Sequence, residues 1–187
     1  MTLRTSALAA LVMAAALTGL LPHPMNFAPI TAMAVFGAVR FARLRSAVLV
    51  PLLALFLSDV GKEIIYRNGH SPERGFYHLM WVVYGTIAVT ALMSRLARGT
   101  RSPVVIAATT LAGSGVFFLV TNFAVWAFGS YYPRTGDGLA ACFAAAIPFF
   151  RNSLLGDATY AGILFAGWAL AESRFPALRA APVQAPS

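Results

Sequence analysis

Acidic residues are scarce in this chain: six in 187 positions, against fourteen basic ones. Lysine occurs once, as Lys62, and cysteine once, as Cys142. A single cysteine excludes an internal disulfide and any cysteine-cluster metal site. No Gly-x-x-x-x-Gly-Lys-Ser/Thr loop is present, so an ATP-driven step needs a partner. No internal repeat and no basic stripe interleaved with exposed aromatics is found, which argues against nucleic-acid binding.

What the chain has instead is apolar length. Hydrophobic residues make up 59% of it, too many for a soluble globule to bury. About 20 residues at 1.5 Å rise cross about 30 Å of hydrocarbon, so apolar stretches near that length read as spans. Six are predicted, over 5–22, 27–42, 46–66, 76–97, 103–129 and 152–172. The second is short and calls for packing by neighbours or local bilayer thinning. A further apolar piece, 139–150, contains Pro148 and is predicted to be re-entrant or surface-lying. The expected fold is an all-α integral membrane bundle over residues 1–176, with a disordered tail over 177–187.

The charges orient this bundle. With both termini inside, Arg4, Arg40, Arg43, Arg45, Arg95, Arg98, Arg101, Arg174 and Arg179 fall on the cytoplasmic side. Lys62, Arg67, Arg74, Arg134 and Arg151 fall outside, as the positive-inside rule favours. The first helix begins like a signal peptide, but its apolar run continues into Leu20-Leu21-Pro22-His23, which favours a retained helix.

Five of the six acids and all three histidines collect on the outer side, which suggests binding there. His23 and Asn26 sit on a loop stiffened by Pro22, Pro24 and Pro29. Asp59 ends an apolar run, where an acid needs a partner or a function; Lys62 at i+3 offers a salt bridge. His70 lies in the main outer loop, and Tyr77 and His78 open the fourth span, as an aromatic belt or as a binding mouth beside Asp59. Asn122 within an apolar span needs a hydrogen-bond partner. Arg151 and Asn152 stand where the last span begins, with Ser153 as a cap and Asp157 one turn in. Arg151 and Asp157 are six apart and each calls for another partner, such as Asp59 or a ligand. Gly113-Ser114-Gly115 lacks the context of a nucleophile elbow and reads as small-residue packing. Alanines at four-residue spacing (Ala10 and Ala14, Ala34 and Ala38) form faces that let helices approach closely, inside the bundle or against another subunit.

The strings His23-Pro24-x-Asn26-Phe27-x-Pro29-Ile30, Leu57-Ser58-Asp59, Thr121-Asn122-Phe123-x-Val125-Trp126 and Ala146-Ile147-Pro148-Phe149-Phe150-Arg151-Asn152, followed by Leu155-Gly156-Asp157, together resemble a bacterial family of integral membrane proteins labelled as transport proteins. That family is similar in turn to the S components of energy-coupling-factor vitamin transporters, nearest the solitary cobalamin-specific type. The resemblance implies a six-helix bundle in the bacterial inner membrane that binds a vitamin-like solute at the outer face, with His23, Asp59 and Tyr77 at the family's binding positions. It implies docking of an energising module on the alanine faces. The cobalamin type carries a cysteine ligand in the outer loop before the fourth helix; here His70 is the residue placed to stand in for it. The function expected is small-solute uptake by binding, without catalysis or cofactor. The other classes are an assembly protein using the small-residue faces and an intramembrane enzyme using His23, Asp59 and His78.

Overall fold

The computed structural model describes residues 2–179 and folds them into six α-helices. They are α1 (Leu3–Thr18), α2 (Ile30–Arg40), α3 (Leu44–Arg67), α4 (Met80–Ser94), α5 (Pro103–Phe128) and α6 (Gly136–Arg174). Short 3₁₀ turns follow α4 at Arg95–Ala97 and α6 at Pro176–Leu178, and no strand occurs among the described residues. Three stretches are long and apolar enough to cross a membrane: Met80–Ala97, Pro103–Phe128 and Gly136–Arg174. The chain is thus all-helical and of membrane type.

Local chemistry starts these helices. The Ser102 hydroxyl accepts from the Val105 N–H, and Pro103 sits in the first turn of α5, where its missing N–H costs nothing. The Thr135 hydroxyl accepts from the Gly138 N–H and opens α6, with Asp137 in the favourable first turn. Ser153 caps nothing; its hydroxyl donates back to the Phe149 carbonyl within α6.

Two expected elements come out differently. The segment 139–150 is not a separate piece before the last helix. It forms the first third of α6, which runs unbroken through Pro148 for 39 residues, about 58 Å. Pro148 removes one backbone donor, a loss that apolar helices tolerate when neighbours pack around them. Phe118 of α5 stacks on Phe150 and meets Phe143 edge-on, bracketing the proline with aromatic contacts.

The second span is also replaced. α2 has only 11 residues, about 16 Å, too short to cross. Of the two accommodations expected for it, packing by neighbours is the one seen: they enclose it. Every residue from Thr31 to Val39 is buried, and α2 touches each of the other five helices. Phe36 lies at the centre, edge-on to Phe165 at 5.1 Å between ring centroids and to Trp168 at 6.4 Å. Ala34 and Ala38, expected on a docking face, are fully buried against Leu55, Ile87 and Ala91. Ala10 and Ala14 of α1 stay exposed.

Close crossings rest on glycine. A Cβ on Gly113 of α5 would lie 2.8 Å from Thr31 and 2.9 Å from Thr90. One on Gly156 of α6 would lie 3.0 Å from the Ala28 nitrogen.

Most of the arginines predicted on the inner side fall at one end of the bundle, where several act as ties. Arg4 of α1 pairs with Glu172 of α6 at 2.6 Å, which ties the start of α1 to the end of α6. Arg101 reaches the other Glu172 oxygen at 3.4 Å, and Arg40 donates to the Thr100 carbonyl at 2.8 Å. Arg95 donates to the carbonyls of Ala38, Phe41 and Ala42, at and just past the C-terminus of α2. Residues 177–179, the start of the expected tail, fold back so that Arg179 donates to the Glu172 carbonyl. The rest of that tail, 180–187, lies outside the described residues.

Candidate functional site

The ten residues singled out from the sequence gather at the opposite end, around the start of α2. They do not form one pocket. They divide between two small chambers and the surrounding loops.

The first chamber, about 80 Å³, lies between α2, α3 and α4. Its walls include Ser58, Asp59, Lys62, Arg74 and Tyr77. Asp59 is buried on α3, and the Tyr84 hydroxyl donates to its Oδ2 at 2.6 Å. Among the described residues no hydrogen bond reaches its other oxygen, Oδ1. Lys62 and Arg74 share the chamber with Asp59, yet no ion pair joins them, so the salt bridge expected with Lys62 is absent. The 71–79 loop is held down over α3 by Gly75: a Cβ there would fall 1.8 Å from the Asp59 carbonyl oxygen. The Phe76 N–H donates to Glu63 at 3.4 Å beside it.

The second chamber, also about 80 Å³, lies between α5, α6 and the 22–29 loop. Asn26, Ser114, Asn122, Ser153 and Asp157 line it with Phe117 and Phe150. Asn26 holds a left-handed backbone (φ 62°), a conformation asparagine tolerates better than most residues. Asn122 donates to its own helix at the Phe118 carbonyl, 2.8 Å away. Asp157 differs sharply from Asp59. Its Oδ1 accepts from the Ala32 N–H at 3.1 Å and its Oδ2 from the Ser114 hydroxyl at 2.7 Å. Asp157 is expected near its own helix start; it sits instead mid-way along α6 and caps α2. Gly156 allows that approach.

The remaining candidates line neither chamber. His23 lies with its ring against the carbonyls of Pro24 and Gly19, at 2.9 and 3.2 Å. Asn152 donates to the Met25 carbonyl at 3.0 Å and ties α6 to the same loop. His70, His78 and Arg151 are exposed, and Arg151 pairs with neither Asp59 nor Asp157. Of the expected binding mouth, Tyr77 reaches the Asp59 chamber and His78 does not. No group of three His, Cys, Asp or Glu among the described residues is placed to hold a metal.

Sequence reasoning passed over Tyr84 in the second turn of α4, which donates to Asp59. It also took Ser114 only as packing. Gly113 does pack, while Ser114 serves the Asp157 carboxylate.

A far larger cavity than either chamber, about 1030 Å³, lies between α5 and α6 towards the arginine-rich end, and Asp157 is the one sequence candidate on its wall.

Residues 1–178 match one family model. The chain belongs to the DUF6580 family, a family of unknown function. No curated protein and no solved structure matches it.

Proposed function

We propose that this chain is a solute-binding membrane component for uptake, and that the Asp59 chamber is its binding site. The observation that carries this is the incomplete hydrogen bonding of Asp59. Oδ1 of Asp59 is not sealed in the core but stays accessible, so a ligand can reach it. Here Oδ1 accepts nothing, while two cations, Lys62 and Arg74, line the same space without touching it. A small polar solute bearing both a cationic and an anionic group completes that arrangement. Its cation meets Asp59 and its anion meets Lys62 and Arg74.

The chamber volume, about 80 Å³, suits a small polar solute rather than a corrinoid ring. The vitamin-carrier resemblance contributes the general role, capture for uptake at a face away from the arginine-rich end. That end is taken as cytoplasmic, in a bacterial inner membrane, on the positive-inside rule. The protein supplies binding rather than chemistry. The missing nucleotide loop makes an energising partner part of this proposal, and Ala10 and Ala14 on α1 are the small-residue positions left exposed for it.

A thermal-shift series of the detergent-purified chain with small amino-acid zwitterions tests this reading. A ligand at 100 times its Kd stabilises by about 2.7 kcal/mol. The expected result is an upward shift for the native chain with at least one such zwitterion, and none for Asp59→Asn. An equal shift in both defeats the assignment to Asp59, and no shift with any zwitterion defeats the solute class.

A further inference from the structure

The cavity between α5 and α6 has a different character from the chambers. Its middle is apolar and shallow-walled, with Ala107 and Leu111 from α5 facing Ala158, Gly162 and Ala166 from α6. One end closes on Ser114 and Asp157, already bonded to each other. The other end opens among Arg40, Arg101 and Arg179. From Asp157 to Glu172 the groove follows α6 for fifteen residues, about 22 Å of helix. Half a bilayer, headgroup region included, is about 20–22 Å. The groove is therefore about one leaflet deep, with its cations at headgroup level.

The charges at the mouth do not balance. Glu172 is the one carboxylate there among the described residues, and Arg4 and Arg101 both reach it. Arg40 pairs with no carboxylate among the described residues. It donates to the Thr100 carbonyl, lies 5.0 Å over the Phe165 ring, and leaves its buried Nε without a partner. Arg179 reaches only backbone carbonyls.

We infer that this groove binds an anionic phospholipid of the leaflet at the arginine-rich end, its acyl chain lying between α5 and α6 and its phosphate among Arg40, Arg101 and Arg179. Basic pockets between membrane helices suit such headgroups. A docked helix of another protein would need an acid of its own at the level of Arg40; a lipid phosphate lies at that level already. This site is separate from the Asp59 chamber and does not rest on the solute proposal.

The test is native mass spectrometry of the full chain, purified in detergent and given phosphatidylglycerol or phosphatidylcholine in matched amounts. The native chain retains phosphatidylglycerol preferentially. Arg101→Gln, at an exposed position, lowers that preference about fivefold, and Arg40→Gln does the same. Gly162→Leu supplies a readout that does not touch the charges. A Cβ on Gly162 meets nothing within 4 Å, so a larger side chain enters open groove without straining the fold. It abolishes retention of both lipids while the melting temperature holds. Equal retention of the two lipids by the native chain overturns the inference. So does undiminished phosphatidylglycerol binding by Gly162→Leu. A crosslinker at position 162 that captures another membrane protein, with no lipid retained, assigns the groove to a protein interface instead.

Discussion

Asp157 and Arg95 hold opposite ends of the same buried helix. Asp157 accepts the Ala32 N–H in the first turn of α2, and Arg95 donates to the Ala38, Phe41 and Ala42 carbonyls at its other end. An acid at the N-terminus and a cation at the C-terminus both complement the helix dipole, and each supplies hydrogen bonds that a short, enclosed helix cannot get from water. Removing either leaves buried backbone groups unpaired, at about 1–3 kcal/mol. Asp157→Ala and Arg95→Gln should each lower the melting temperature. The two sites are separated by nearly the full length of α2, so the double variant should show the sum of the two losses. Thermal unfolding of the three variants in one detergent checks this; an unchanged melting temperature for Asp157→Ala would remove it from the capping role.

Gly113 and Gly115 stand two residues apart on α5 and predict opposite outcomes. A methyl on Gly113 collides with Thr31 and Thr90, while one on Gly115 meets nothing within 4 Å. Gly113→Ala should destabilise by about 1–3 kcal/mol through overpacking. Gly115→Ala should be neutral or stabilise by roughly 0.5–1 kcal/mol, the helix preference of alanine over glycine. Similar behaviour of the two variants would mean that α5 does not pack against α2 and α4 as described.

The two alanine pairs separate in the same manner. Ala34→Leu enlarges a fully buried position and should reduce stability and expression. Ala10→Leu alters an exposed one and should leave melting and solute binding intact while lowering uptake in cells. Full uptake by Ala10→Leu would take the docking role away from α1.

Much of this was legible beforehand. Helix positions followed from apolar length, apart from the early start of α6 at Gly136. Charge bias placed the arginines together. The loop-end cluster was found as residue types, but its division was not. Nothing in the spacing of Asp59 and Asp157 says that one carboxylate is met by a helix N-terminus and a serine while the other meets a single tyrosine. Those partners lie 25, 43 and 125 positions away in the chain. Pro148 misled because proline ends helices in water, whereas a helix packed among apolar neighbours continues through it. α2 misled because hydropathy measures how apolar a stretch is. It does not tell a helix that faces lipid from one enclosed by five others.

The start of α1 and the end of α6 lie at the arginine-rich end, tied by Arg4 and Glu172. With Cys142 replaced by serine, single cysteines at His70→Cys and Arg98→Cys should react with a membrane-impermeant maleimide from opposite sides of sealed vesicles. Labelling of both from one side would overturn the crossing of α4 between them.

The central claim is that the two buried aspartates differ in kind: Asp157 is a structural tie and Asp59 a ligand-binding group. Native mass spectrometry and melting temperature, measured together on the native chain, Asp59→Asn and Asp157→Asn, test it most directly. The account predicts a small non-lipid adduct on the native chain that Asp59→Asn loses at nearly unchanged melting temperature, while Asp157→Asn melts lower and keeps the adduct in its folded fraction. An Asp59→Asn protein that keeps the adduct and melts markedly lower would contradict it.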